Sequence, residues 1–133
     1  MNSILVDTCV LSEIMRPRPD PAVAAWFRTL STVCLSVISV EEIISGLRRK
    51  AMYEKEAWFH RFCAGCAVVH QVDMEMAIWT GEARGRLAAG GRVAHQADAL
   101  IAATAWRHGL VLATRNVRDF EGFGIALINP FDA

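Results

Sequence analysis

Five short, largely apolar segments recur along the chain: Ile4-Leu5-Val6, Val33-Cys34-Leu35-Ser36, Ala67-Val68-Val69-His70, Leu110-Val111-Leu112-Ala113 and Ile125-Ala126-Leu127-Ile128. Each is too short for a buried helix and too apolar for a half-solvated strand, so each reads as a strand covered on both sides. Between the first four lie stretches with helical spacing. The order is strand, helix, strand, helix, strand, helix, strand, strand. That alternation implies an α/β fold: a central parallel sheet of about five strands flanked by helices on both faces. With 133 residues, the chain suits a single domain spanning 1–133 that buries its own core.

Local punctuation places the helices. One starts near residue 9 and must stop at Arg16-Pro17-Arg18-Pro19-Asp20-Pro21, because closely spaced prolines cannot stay helical. Asp20 then caps a helix with Pro21 in its first turn, running through Trp26 and Phe27. Ser39 is expected to cap a helix from Val40 to Arg49. Further helices are predicted over about 52–62, 73–89 (ending at Gly90-Gly91) and 95–108 (ending at Gly109).

Composition narrows the class. Hydrophobic residues make up 53% and charged residues 21%, which indicates a folded globule. No apolar run approaches membrane-spanning length, and Asp7 interrupts the first one. A cytoplasmic protein without a signal peptide or membrane contact is expected. Fourteen basic residues balance fourteen acidic ones, so no generic basic nucleic-acid binder is indicated. Twelve of the basic residues are Arg; Lys50 and Lys55 are the lysines. Cys63-Ala-Gly-Cys66, flanked by His60 and His70, has the residue types of a zinc site. Its place where a helix runs into a strand favours packing instead.

In open α/β sheets, chemistry gathers at the carboxyl ends of strands. Asp7 directly follows the first strand, as a functional acid or as a helix N-cap. Asp98 lies on the very apolar helix segment 97–105, where a lone carboxylate is expensive unless paired or metal-bound. A first-turn position, favoured by the helix dipole, is the alternative. Glu41 and Glu42 open a helix whose apolar stripe is Val40, Ile43, Ile44 and Leu47. Periodicity alone puts Glu42 nearly opposite that stripe, facing solvent. Yet Ser39, Glu42 and Gly46 share a face of small residues on which another backbone could approach. Asp119 follows the fourth strand, where capping of a turn at 120–123 is the simplest reading. Arg84, Arg86 and Arg92 either line a nucleic-acid path or decorate a solvated helix end. Trp26, Trp58, Trp79, Trp106, Met74 and Met76 serve either apolar interfaces or the core. Carboxylates that converge repel one another. Hard divalent cations resolve that repulsion, and such a site suits phosphodiester hydrolysis.

Four segments resemble one family in the correct order: Ile4-Leu5-Val6-Asp7-Thr8 with Leu11-Ser12-Glu13; residues 39–46; residues 97–105; and Ala113 to Phe120 with Asn129-Pro130-Phe131. The chain resembles the PIN-domain nucleases, and among them the VapC-like toxins of bacterial toxin–antitoxin pairs. The resemblance implies a ribonuclease with catalytic acids Asp7, Glu42, Asp98 and Asp119. Asp7, Asp98 and Glu42 would hold Mg²⁺ or Mn²⁺. It selects Glu42 over Glu41, since the family's Glu precedes the Gly by four residues. Thr8, Thr114 and Asn116 take supporting places. Many members carry an Asp where this chain has Asn116, so Asp119 and Asn116 share the fourth corner. The resemblance also implies a homodimer and a cognate antitoxin whose C-terminal segment covers the site, with RNA as substrate. Three rivals stay in view. A haloacid-dehalogenase-type phosphatase would want a second Asp where Cys9 stands. A receiver domain would want a late Lys, and none follows position 55. A catalytically silent module binding RNA or antitoxin is the third.

Overall fold

The computed structural model describes residues 3–132. The five strands are β1 (Ile4–Val6), β2 (Val33–Ser36), β3 (Ala67–His70), β4 (Val111–Ala113) and β5 (Leu127–Ile128). They form one parallel sheet in the order β3-β2-β1-β4-β5. The chain builds outward from β1 to β3, then returns to lay β4 on the other side of β1. The topological switch therefore falls between β1 and β4, where Val6 pairs with Ala113. The residues that follow each strand, Asp7 and Thr114, emerge side by side there.

Helices α1 (Thr8–Ile14) and α2 (Pro21–Arg28) connect β1 to β2. Helices α3 (Val37–Arg49) and α4 (Tyr53–Gly65) connect β2 to β3, and α5 (Met74–Ala89) with α6 (Gln96–His108) connects β3 to β4. A short α7 (Val117–Phe120) and a 3-10 turn at Glu121–Phe123 lead into β5. Strand alternation divides the core between the two faces. Leu5, Cys34 and Leu112 join residues of α5, α6 and α7 on one side. Val6, Val33 and Leu35 meet residues of α1, α2, α3 and α4 on the other. Leu5, Val6, Leu35 and Leu112 are fully buried. The edge strand β3 is less covered than expected, with Val68 47% exposed.

The proline-rich break behaves as the sequence predicts. Asp20 accepts from the amides of Ala22 and Val23 at 2.9 and 3.2 Å, with Pro21 at the first helical position. Buried Glu13 secures the turn by accepting from the Asp20 amide at 2.9 Å and from Arg16 at 3.2 Å. Gly109 ends α6 in the left-handed conformation.

The expected Ser39 cap is incorrect. Ser36, still extended at the end of β2, accepts from the Ile38 amide at 3.1 Å and starts α3 three residues earlier. The strand runs into the helix with no loop, and Ser39 lies within the first turns, fully buried. The last strand is also shorter than the apolar run from Ile125. Ile125 packs against the core outside the strand. No helix among the described residues is long and apolar enough to cross a membrane.

Candidate active site

Asp7 continues the β1–β4 ladder through its own amide, which donates to the Ala113 carbonyl at 2.9 Å. Its carboxylate is 5% exposed and serves two purposes at once. It caps α1, accepting from the Thr8 amide at 2.8 Å. Its other oxygen accepts the Thr114 hydroxyl at 2.7 Å and lies 3.4 Å from the Cys9 thiol, which donates to it. Capping and function were alternatives in the sequence; the structure shows that the cap uses only one carboxylate oxygen. Thr114 is fully buried and also accepts from the Asn116 amide at 3.0 Å, so it links the loop after β4 to Asp7.

Glu42 does not simply face solvent. Its Oε1 accepts the Thr8 hydroxyl at 2.7 Å, and Thr8 Oγ1 also lies 3.0 Å from Ser39 Oγ. The small face of α3 is therefore where α1 approaches, at Ser39 and Glu42. Gly46, on the same face, does not take part in the close approach. A Cβ added there would meet nothing nearer than an Arg49 guanidinium nitrogen at 3.8 Å.

Asp98 stands in the first turn of α6, half-buried, just before the fully buried run Ile101–Ala105. Asp119 is inside α7 and exposed. The expected N-cap role for Asp119 does not hold, because α7 begins one turn earlier, after Asn116. Asn116 occupies the cap position without a side-chain capping bond. Asp98 and Asp119 line one small pocket of about 110 Å³ together with His95 and Arg92. Glu42 and Thr8 line a separate, larger groove of about 640 Å³ between α1, α3 and the start of α4.

The four acids share one electrostatic field. Burial, then the charges of Asp7, Asp119 and Glu42, push the Asp98 carboxyl from 3.8 up to about 6, with His95 opposing. Burial also raises Asp7. The hydrogen bonds from Thr114, Thr8 and Cys9 hold it down, and the Glu42 charge adds to the rise. None of the described ion pairs involves any of the four acids. Among the described residues, no group of three or more His, Cys, Asp or Glu side chains forms a ready cage for a cation. The donors that the four acids offer are carboxylate oxygens, the type that hard divalent cations such as Mg²⁺ or Mn²⁺ take, rather than the nitrogen and sulfur set of a closed zinc centre. Asp7 and Asp98 supply hard oxygen donors whose mutual repulsion a divalent charge relieves.

The remaining candidates separate. Arg84 donates to the Ala94 carbonyl at 3.0 Å, Arg86 to Gly122 at 3.4 Å and Arg92 to Arg118 at 3.4 Å. Arg84 and Arg86 tie α5 to the segment before α6 and to the 3-10 turn, while Arg92, beyond the end of α5, reaches α7 and borders the Asp98–Asp119 pocket. The Cys-x-x-C histidines point to other partners: His60 pairs with Glu56 at 3.4 Å and His70 stacks on His108. Cys63 packs against the core, while Cys66 is exposed at the end of α4. Met76 is buried, whereas Met74, Trp58 and Trp106 are exposed. Cys9 is the site contact that sequence reasoning missed. Its signal was present, since the first turn of a helix capped by Asp7 must bring residue 9 back toward that carboxylate.

Comparison with known proteins identifies the family of the chain. The family model for the PIN domain matches residues 4–124. A VapC ribonuclease of Sinorhizobium fredii is 32% identical over 97% of this chain and 98% of its own. Toxin FitB of Neisseria gonorrhoeae is 33% identical over 96% of this chain and 98% of its own. Among solved structures, FitAcB from Neisseria gonorrhoeae superposes with a TM-score of 0.83 at 32% identity, covering 98% of this chain and 99% of that one. DNA-bound VapBC from Salmonella typhimurium gives 0.82 at 30% identity, covering 98% and 99%. With the family model covering most of the chain, its relatives matching nearly end to end, and the acids gathered at the switch point, this chain belongs to the PIN-domain family.

Proposed function

We propose that this protein is a divalent-metal-dependent endoribonuclease acting in the cytoplasm as the toxin of a toxin–antitoxin pair. The observation that carries the reading is the buried Asp7 carboxylate at the end of β1, fixed by Thr114 and by Thr8, which also holds Glu42; the charges of Asp7, Asp119 and Glu42 also act, after burial, to raise the Asp98 carboxyl. Relatives named as a VapC ribonuclease and as the tRNA(fMet)-specific endonuclease VapC support RNA as the substrate class. FitAB and VapBC assemblies among the similar structures support a cognate antitoxin as the partner.

Asp7, Asp98 and Glu42 are the residues that would hold Mg²⁺ or Mn²⁺, with Asp119 completing the acidic field. When bound, such a cation supplies positive charge to the attacked phosphate and activates water. The chain's own groups prepare the site. Thr114 and the Thr8 amide fix the two Asp7 oxygens, and Thr8 Oγ1 fixes Glu42. Asn116 acts through its amide, which ties the α7 loop to Thr114. Arg92, which lines the Asp98–Asp119 pocket, is the cation proposed to meet a phosphate there.

The test is metal add-back. Purified protein stripped with EDTA should leave a total-RNA substrate intact, and excess Mg²⁺ or Mn²⁺ should restore internal cleavage. Cleavage that persists in EDTA would overturn the metal assignment. An absence of cleavage with either ion, alongside intact RNA binding, would favour the silent module.

A further inference from the structure

An RNA cut within its length needs a path on both sides of the reacting phosphate. Asp98 and Asp119 line one pocket. A separate groove of about 640 Å³ starts at Thr8 and Glu42 and runs out along α3 to the α3–α4 turn. Four cations border it: Arg16, Arg49, Lys50 and Lys55, which include both lysines of the chain. The groove's acids are Glu42, at the inner end, and Glu13, which is buried and already engaged by Arg16 and the Asp20 amide. The tight turn after α3 holds Ala51 in the left-handed region, at φ 52°, and sets Lys50 on the rim. Gly46 leaves the floor open, with the Arg49 guanidinium over it. Beyond Lys55 the groove continues into a hollow formed with Ile14, Met15 and Trp58. Trp58 is 40% exposed and rigidly backed, its ring stacked on Phe62 with centroids 5.2 Å apart.

A cationic groove that ends on an exposed, backed aromatic ring is the chemistry of a single-stranded nucleic-acid track. Resting on the ribonuclease reading above, we propose that single-stranded RNA leaves the active site along this groove. Its phosphates are held by Arg49, Lys50 and Lys55, and one base stacks on Trp58. The excess of cations over acids along the groove, with Glu13 already engaged, favours a polyanion over a protein segment as the occupant.

The experiment measures binding of a fluorescent single-stranded oligoribonucleotide to the full chain in EDTA, as a function of salt. The same preparations are assayed for Mg²⁺-dependent cleavage and for binding to the antitoxin encoded beside the gene. Lys50→Ala with Lys55→Ala should weaken RNA binding. The double change should also flatten the slope of log K against log salt by about 0.7 for each lost contact. Trp58→Ala should weaken binding on the order of tenfold with little change in that slope. Gly46→Phe fills the floor without displacing backbone and should block binding, while circular dichroism and thermal melting report an intact fold. RNA binding that is unchanged in all three, with the parent binding and cutting RNA, overturns the track and leaves the ribonuclease reading standing. Loss of antitoxin binding with RNA binding unchanged also overturns it, and makes the groove a protein-docking surface. A parent that neither binds nor cuts RNA overturns both.

Discussion

Replacing Asp98 by Asn should stabilise the metal-free protein while weakening its response to Mg²⁺. Folding raises the Asp98 carboxyl from 3.8 to about 6. A group whose folded value lies above its unfolded one favours the folded state most when protonated. Its stabilising contribution is complete below about 3.8 and is lost as pH rises through about 6. At 1.36 kcal/mol per pH unit the whole effect is roughly 3 kcal/mol. Asp98 is only half-buried, and solvent screening reduces this to about 1–2 kcal/mol. Asn also gives up the helix-dipole interaction of an acid in the first turn of α6, about 0.5 kcal/mol. The net gain at pH 7.5 in EDTA is then about 0.5–1.5 kcal/mol, or roughly 2–5 °C in Tm for a domain of this size. Differential scanning fluorimetry at pH 4 and 7.5, with EDTA or excess Mg²⁺, measures all the arms. The variant should melt above the parent at pH 7.5 in EDTA and lose that advantage at pH 4. Mg²⁺ should raise the parent's Tm more than the variant's. A variant that melts below the parent at both pH values refutes the reasoning, because burial and the neighbouring acids then do not disfavour the ionised carboxyl in the folded state.

Three further outcomes are expected. Thr114→Val removes a buried 2.7 Å hydrogen bond to the Asp7 carboxylate, worth roughly 1.5–3 kcal/mol for an ionised acceptor. That bond holds the Asp7 carboxyl down, so without it Asp7 protonates at higher pH and the acid limb of the cleavage pH profile should move up. Ser36→Ala deletes the cap of α3 and should lower stability by about 1 kcal/mol in urea titration without changing the metal requirement. Asp119→Asn should reduce cleavage more than Asn116→Ala does, since Asp119 shares the Asp98 pocket while Asn116 contributes its amide to Thr114. Equal or reversed effects in single-turnover assays would return the fourth corner to Asn116.

The parts legible in the sequence were those set by short-range chemistry. Asp20-Pro21 dictates a helix start wherever it occurs, and Gly109 a stop. The five apolar runs state that a sheet is buried, and the position of Asp7 after the first run marks a strand end. Ser36 and Ser39 could each cap a helix, and only the point where β2 ceases to pair with β3 selects the earlier one. Glu42 looked solvent-facing because a helical wheel contains no information about a second helix. The α1 hydroxyl of Thr8 occupies that side. The basic groove was invisible for the same reason: Arg16 follows α1, Arg49 and Lys50 end α3 and Lys55 lies in α4, and their convergence depends on tertiary packing. Family resemblance supplied Glu42 where periodicity could not, and the structure gives that choice a physical basis in its bond to Thr8.

The central claim is that the acids around Asp7 carry metal-dependent RNA hydrolysis. The most direct measurement compares the cleavage rate of purified Asp7→Asn with that of the parent on one RNA at saturating Mg²⁺, with equal folding verified by circular dichroism. The account predicts loss of detectable cleavage in the variant with RNA binding retained. Cleavage by Asp7→Asn at the parent's rate would contradict it.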